Sequence, residues 1–138
     1  MSRIPILCCA LCLSWIAVTT YAADKSSPRS DMSIVEMAVT TKIVRGKPID
    51  SVHRISSASV KELYCFTHIR RAEINDTTIR HVWFHDGNVA GDIRLPVKGE
   101  SWRTFSKRPV DGTAKGAWRV EVMAPDGSVI KSVEFRIN

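Results

Sequence analysis

The chain has 138 residues, with 20 lysines and arginines against 14 acidic residues, a formal net charge of +6, and 44% hydrophobic residues. A chain of this length has room for one domain, and its apolar fraction is too high for a disordered protein. These values exclude two-domain enzymes and acidic solvating tails, and they leave one mildly basic globular domain.

Residues 1–22 have the composition of a secretory signal peptide. Arg3 is their only charge, a mostly apolar run follows it, and Thr20-Tyr21-Ala22 places small residues at the two positions that determine cleavage. We therefore expect cleavage after Ala22 and a periplasmic or secreted protein. The alternative is an uncleaved anchor in the inner membrane, because residues 4–23 are about as long as a membrane-spanning helix.

The cysteines divide between this leader and the remaining chain. Cys8, Cys9 and Cys12 lie in the apolar run, so cleavage leaves Cys65 alone, and no intramolecular disulfide can form in the oxidising compartment. Stability must then come from a packed core. We expect Cys65 to be a buried thiol rather than a nucleophile, because His68 points to the opposite side of the same strand.

The remaining sequence predicts an all-β fold. Residues 23–33 are small and polar and predict a flexible linker, which places the folded domain at 34–138. Short segments rich in valine, isoleucine, threonine and aromatic residues then alternate with turns about every 8 to 12 positions, as in an antiparallel sandwich. We predict a seven-stranded antiparallel β-sandwich, immunoglobulin-like in size. The expected strands are 34–44, 60–69, 79–85, 89–96, 102–106, 117–123 and 129–137.

Local patterns assign turns and faces within this sandwich. Asp86-Gly87 predicts a two-residue hairpin turn, because both residues accept a positive φ. In the first strand, Val35, Met37 and Val39 are expected on one face and Glu36 and Thr40 on the other. The second strand is expected in the centre of a sheet, because both of its faces are partly apolar. The predicted core side chains are Phe66, Val82, Trp83, Trp118, Val120, Val133 and Phe135.

Five short motifs follow one another between Leu63 and Phe135, within a resemblance that extends over residues 34–137. They are Leu63-Tyr64-Cys65-Phe66-Thr67, His81-Val82-Trp83 before Asp86-Gly87, Trp102-Arg103-Thr104 with Ser106-Lys107, Gly116-Ala117-Trp118-Arg119-Val120, and Asp126-Gly127 before Phe135. In order and spacing they resemble a bacterial family described only as domain of unknown function 2914. The resemblance implies a small β domain, often downstream of membrane or export segments, and it brings no catalytic residues. The chain departs from the family pattern at Cys65, Phe84 and His85, none of which has an assigned role.

Four histidines outside the leader, His53, His68, His81 and His85, raise the hypothesis of a metal site. His81 and His85 share a strand face, but four residues of strand separate two side chains by roughly 13 Å, whereas two ligands of one zinc ion lie within about 4 Å of each other. We therefore expect no metal and no cofactor. His81 is interpreted as a hydrogen-bonded core histidine.

Motifs for other chemistry are missing from the sequence. It contains no Gly-x-Ser-x-Gly elbow, and its seven glycines never occur as Gly-x-Gly, so neither a hydrolase nor a nucleotide-binding signature is present. Trp83, Trp102 and Trp118 lie among alternating apolar residues. We expect them in the core rather than on a sugar-stacking surface.

The basic residues suggest a binding surface. Arg103, Lys107 and Arg119 are candidates to converge on one sheet surface, where they would attract an anionic glycan, a lipid headgroup or an acidic partner. Nucleic acid is not expected, because the leader exports the chain and no aromatic-basic recognition motif accompanies the charge.

These observations predict a non-catalytic exported module that interacts with an envelope protein or an anionic glycan. The alternative is a small enzyme acting on cell-wall or surface glycans, for which His81 and His85 are the best candidates. A third hypothesis is a structural appendage of a membrane complex.

Overall fold

A computed structural model describes residues 31–138 of the chain, so the expected signal peptide and residues 23–30 of the expected linker lie outside it. Over the described range no helix has the length and apolar character that crossing a membrane requires. Between residues 31 and 138 a single 3₁₀ turn spans Gly112–Ala114, and the rest of the regular structure is β-strand. The strands are β1 (Met32–Thr40), β2 (Ile43–Val44), β3 (Lys47–Pro48), β4 (Arg54–Ile55), β5 (Glu62–Arg71), β6 (Thr77–His85), β7 (Asn88–Val97), β8 (Ser101–Pro109), β9 (Gly116–Met123) and β10 (Val129–Ile137).

The predicted all-β class is confirmed, but the predicted strand number is wrong. Residues 31–138 form ten strands rather than seven. Seven of them have eight to ten residues and correspond to the seven expected segments, whereas β2, β3 and β4 have two residues each. The first expected strand, 34–44, is in fact two strands, because the chain bends at Thr41 where the Asp50 carboxylate accepts its backbone N–H.

The long strands form the two layers of a sandwich. A three-stranded sheet has the order β1-β5-β8, and a five-stranded sheet has the order β4-β10-β9-β6-β7. Every pairing in them is antiparallel except the short contact of β4 with β10. Strand β5 is central in its sheet, as its two apolar faces predict. Strands β2 and β3 form a separate small hairpin.

The domain begins two residues earlier than the sequence predicts. Met32 is buried and pairs with Arg71 as the first residue of β1. Met32 and Ser33, which the sequence assigns to the linker, therefore belong to β1. The polar residues around Met32 hide its role in the sheet from sequence analysis.

A β-bulge in β1 changes which of its residues face the core. The register shifts between Ile34 and Glu36, so Val35 is the additional residue, and its side chain is 51% exposed. A bulge resets the alternation of a strand. Ile34 before it and Met37 after it both pack against the core, so the prediction that Val35 shares a face with Met37 is wrong.

The core consists of two clusters between the sheets. The larger contains Val39, Leu63, Cys65, Trp83, Trp118, Val120, Phe135 and Ile137 among its buried residues. The smaller contains Met32, Ile69, Ile79, Val97 and Val122. Trp83 and Trp118 are buried as predicted, and Trp102 is half-buried against the smaller cluster.

Two predicted core residues are buried as expected, but they do not lie between the two sheets. Phe66 and Val82 are buried, but neither belongs to the core clusters. Each alternates with a core residue, Cys65 or Trp83, and therefore points away from the core. Both lie on the outer faces of the two sheets, where neighbouring side chains cover them.

The Asp86-Gly87 turn joins β6 to β7 as predicted. The φ angles of its two residues are 47° and 83°, the signature of a type I′ turn. Asp86 also holds β9 in place, because its Oδ1 accepts the backbone N–H of Ala117 at 2.9 Å. A side chain on Gly116 would place Cβ 2.6 Å from this carboxylate.

Candidate functional site

The outer face of the three-stranded sheet presents a regular array of side chains, which we call the outer grid. Alternation places the odd-numbered residues of β8 on this face, opposite the inward Trp102, Thr104 and Ser106. Strand pairing then arranges three rows of three across β1, β5 and β8. The rows are Glu36–His68–Arg103, Ala38–Phe66–Phe105 and Thr40–Tyr64–Lys107.

An exposed aromatic residue lies between two cations on the edge of the outer grid. Phe105 is 47% exposed, and both Arg103 and Lys107 beside it on β8 are exposed. The Tyr64 ring meets the Phe105 ring edge to face, with centroids 5.7 Å apart. Phe66, only 1% exposed, fills the centre of the array. Together these rings form an apolar strip flanked by positive charge.

The charges of the outer grid are unevenly neutralised. Lys107 Nζ lies 3.7 Å from Glu62 Oε2, and Glu62 also accepts the Tyr64 hydroxyl, which raises the pKa of Tyr64. Arg103 makes no ion pair with another residue of the described range. Its charge is therefore available to a ligand.

His68 does not add to this positive charge at neutral pH. Burial lowers its pKa, and the nearby Arg103 and Arg70 lower it further. Its Nε2 lies 2.9 Å from the Ser101 hydroxyl, which holds the ring in place. The positive charges of the outer grid are thus Arg103 and Lys107, and Glu36 is the acidic member of the same array.

Arg119 does not join the other two predicted cations. It lies on the outer face of the five-stranded sheet, where its Nε donates to Glu121 Oε1 at 3.0 Å and its guanidinium lies 4.2 Å above the Phe84 ring centroid. The predicted convergence of Arg103, Lys107 and Arg119 is therefore wrong. β8 and β9 belong to different sheets, whose outer faces point in opposite directions.

His81 occupies a closed polar cluster in the core. Its Nδ1 lies 2.7 Å from Ser106 Oγ and its Nε2 2.9 Å from Thr67 Oγ1, while Trp83 Nε1 donates to the same Ser106 oxygen at 2.9 Å. Burial lowers the pKa of His81 to about 4. The interpretation as a hydrogen-bonded core histidine is confirmed. Burial likewise raises the pKa of the Cys65 thiol to about 12, which keeps it protonated.

His85 is also occupied by structural contacts. Its ring stacks on Trp118 at 4.4 Å between centroids, and its Nε2 donates to the Lys115 carbonyl at 2.7 Å. Residues 31–138 contain no group of three or more potential ligands that could hold a metal ion.

Two cavities lie away from the outer grid. One, of about 190 Å³, opens beside Arg119 and the Asp86-Gly87 turn. The other, of about 250 Å³, lies at the end of the sandwich where β1 begins, with Arg71 among the carboxylates of Asp31, Glu73, Asp76 and Asp126. No local sequence pattern indicates the burial of Arg71, which has the neighbours of an ordinary surface charge. Sequence analysis also does not identify Phe105 as a candidate binding residue. Its position midway between Arg103 and Lys107 on β8 nevertheless predicts that all three side chains share one face.

The fold is that of an immunoglobulin-like β-sandwich. An immunoglobulin-like protein from Pseudomonas aeruginosa matches with a TM-score of 0.53 and 11% identity, over 80% of this chain and 99% of that one. Pseudomonas fluorescens alkylpurine DNA glycosylase AlkC, bound to DNA containing an abasic site analog, matches with a TM-score of 0.51 and 11% identity. This match covers 80% of the present chain but only 31% of the glycosylase. At such low identity these similarities establish the fold alone.

Residues 76–137 match the model of the family described as "Protein of unknown function (DUF2914)". The resemblance drawn from the sequence motifs is thereby confirmed over β6 to β10, while the Leu63–Thr67 motif lies outside the matched range. Comparison with the curated proteins gave no match.

Proposed function

We propose that the protein is a non-catalytic exported module that binds an anionic glycan of the bacterial envelope through the outer grid. The observation that carries this proposal is the sequence Arg103-Thr104-Phe105-Ser106-Lys107 on β8, which presents an exposed aromatic ring between two exposed cations.

An exposed aromatic residue next to arginine is the composition expected of a binding surface. Aromatic and arginine side chains contribute most of the energy at many protein interfaces, and water-exposed apolar patches often mark interaction sites. The ring of Phe105 can cover the apolar face of a sugar, while Arg103 is free to bind a carboxylate or sulfate in bidentate geometry. Strand β8 alone therefore supplies both an apolar ring for the sugar and a cation for its negative group.

The spacing of the charges favours a polymer over a small anion. Four residues of extended strand separate Arg103 from Lys107 by roughly 13 Å, too far for one small anion to bridge. The surface is also the outer face of a three-stranded sheet, along which an extended ligand can lie. An extended chain carrying repeated negative groups fits such a surface better than a compact ligand does.

Catalysis receives less support from the geometry. The two histidines suggested for a glycan-acting enzyme are already engaged, His81 in the core cluster and His85 against Trp118 and Lys115. The Cys65 thiol is buried and has a raised pKa. We therefore favour binding over hydrolysis.

The binding proposal is tested by affinity electrophoresis through gels containing an acidic polysaccharide, polygalacturonate, or a neutral one, dextran. We expect retardation by polygalacturonate alone and its loss in Arg103→Gln and Phe105→Ser. Arg94→Gln is the matched control, because Arg94 is an exposed cation on the outer face of the five-stranded sheet. Equal migration of all four proteins in both gels would refute the proposal.

The export component is tested separately. The full chain, with its leader, is expressed in a bacterium, and the mass of the protein in the periplasmic fraction is measured. We expect the mass of a chain that begins at Ala23. Recovery of the intact chain in the membrane fraction would instead support the uncleaved anchor.

A further inference from the structure

The small hairpin formed by β2 and β3 is distinct from both large sheets. Its strands pair Ile43 with Pro48 and Val44 with Lys47. Arg45 and Gly46 form the turn with φ angles of 52° and 71°, which defines a tight two-residue connection. The hairpin directly follows the C-terminal end of β1, whereas Met32 is at the N-terminal end of that strand. We call residues 42–49 the hairpin tip.

The hairpin tip combines cations with exposed aliphatic side chains. Lys42, Arg45 and Lys47 are all exposed, and no acidic residue occurs between Lys42 and Ile49. Val44 is 42% exposed and Ile49 56% exposed. The tip therefore has a local charge of three positive units and two apolar side chains in water.

The nearest acidic residue is committed to holding the base of the hairpin. Asp50 accepts the Thr40 hydroxyl at 2.5 Å, the Thr41 hydroxyl at 2.6 Å and the Thr41 N–H at 2.8 Å. Although burial alone would raise the pKa of Asp50, these hydrogen bonds lower it. The carboxylate thus remains ionised and anchors the hairpin to the end of β1.

We propose that the hairpin tip docks on an anionic lipid bilayer. Val44 and Ile49 would enter the boundary between headgroups and acyl chains, while Lys42, Arg45 and Lys47 would contact lipid phosphates. This combination of exposed aliphatic residues and a basic polar surface is what favours binding to anionic membrane interfaces. The three cations of the hairpin tip make its charge complementary to such a surface.

The shape of the tip favours a bilayer over an acidic macromolecule. A tight turn is convex, and the two cavities described above are lined by other parts of the chain. The tip contains no aromatic ring for stacking on a sugar. A fluid lipid interface accommodates a convex apolar tip without a matching pocket, whereas a folded partner needs a complementary concave surface.

The test is flotation of the full-length protein with vesicles of equal parts phosphatidylglycerol and phosphatidylcholine, beside vesicles of phosphatidylcholine alone. Hydrogen–deuterium exchange over residues 42–49 reports contact at the tip, and so separates it from binding by the N-terminal segment. We expect protection of the tip amides on the anionic vesicles only. Removing one cation, as in Lys47→Gln, should weaken binding to them about fivefold.

A double variant, Val44→Ser with Ile49→Ser, separates insertion from charge attraction alone. We expect it to weaken binding to the anionic vesicles about tenfold. The control is Val89→Ser with Val129→Ser, because these exposed aliphatic residues lie far along the chain from the tip. Unchanged exchange at residues 42–49 would overturn the proposal. Equal affinity of the double variant and the control, or tip protection by polygalacturonate instead of vesicles, would also overturn it.

Discussion

The Nδ1 atom of His81 lies 2.7 Å from the hydroxyl oxygen of Ser106, and this hydrogen bond crosses the core between the two sheets. His81 belongs to β6 of the five-stranded sheet and Ser106 to β8 of the three-stranded sheet. Thr67 satisfies the other ring nitrogen, and the Trp83 indole donates to the same serine. A buried polar cluster of this kind stabilises a fold only while every member keeps its partner.

Replacing Ser106 with alanine should destabilise the protein by about 2 to 6 kcal/mol. The substitution leaves both the Trp83 N–H and the His81 Nδ1 without a partner inside the core, and each unsatisfied buried group costs about 1 to 3 kcal/mol. Urea unfolding followed by tryptophan fluorescence measures the loss. Ser132→Ala, at an exposed position of β10, is the control and should change stability little. Equal midpoints for the two variants would contradict this account of the cluster.

Stability should fall as the pH drops from 6.5 to 4. His81 has a pKa of about 4 in the folded protein against an ordinary value of 6.5, because burial disfavours its charged form. The stability from the neutral ring is complete above 6.5 and is lost as the pH falls through this window, by about 3 kcal/mol in total. Unfolding free energies measured across the window give the slope. His81→Gln should flatten it, and an unchanged slope would show that His81 is not its source.

Gly116→Ala should destabilise the domain, because the Asp86 carboxylate would have to move and give up its hydrogen bond with the Ala117 N–H. Gly116 has a φ of 136°, and an added Cβ would lie 2.6 Å from the Asp86 carboxylate. Thermal unfolding should show a clearly larger loss than for Gly127→Ala, where φ is 85° but no atom lies within 4 Å. Gly127→Ala loses only the stability that a positive φ costs a residue with a side chain, about 1 kcal/mol. The difference between the two variants therefore measures the effect of the clash at Gly116. Similar losses for both variants would exclude a clash with Asp86.

Arg71→Met should leave stability unchanged or increase it. The Arg71 side chain is 2% exposed, its Nε lies 3.9 Å from Asp31, and within residues 31–138 neither Nε nor Nη1 has a hydrogen-bond acceptor. Burying a guanidinium with unmet donors is costly, and an apolar side chain of similar length avoids that cost. Chemical denaturation of Arg71→Met and of Arg71→Ala measures the change in unfolding free energy. The alanine variant serves as a comparison because it loses the packing of the side chain as well as its charge. A methionine variant as unstable as the alanine variant would mean that the charge itself stabilises the fold.

The sequence by itself determined the class of fold and its most local features. Alternating apolar residues have the period of a strand, so the seven long strands were predicted near their observed positions. Asp86-Gly87 was identified as a hairpin turn because positive φ angles at both positions favour these residue types. His81, between apolar residues of one strand, was correctly interpreted as part of the core. Each of these inferences depends only on residues adjacent in the chain.

Only the tertiary structure decided which faces meet and which remain open. The alternation of side chains along a strand predicts that Arg103 and Lys107 share one side of β8. It does not predict that Arg119 lies on the opposite sheet. Alternation also predicts that the side chains of Phe66 and Cys65 point to opposite sides of β5. It does not predict which of these sides the second sheet covers. The bulge at Val35 and the burial of Arg71 likewise depend on pairing with distant strands. The outer grid is the product of three strands brought together from separate parts of the chain, which no local pattern encodes.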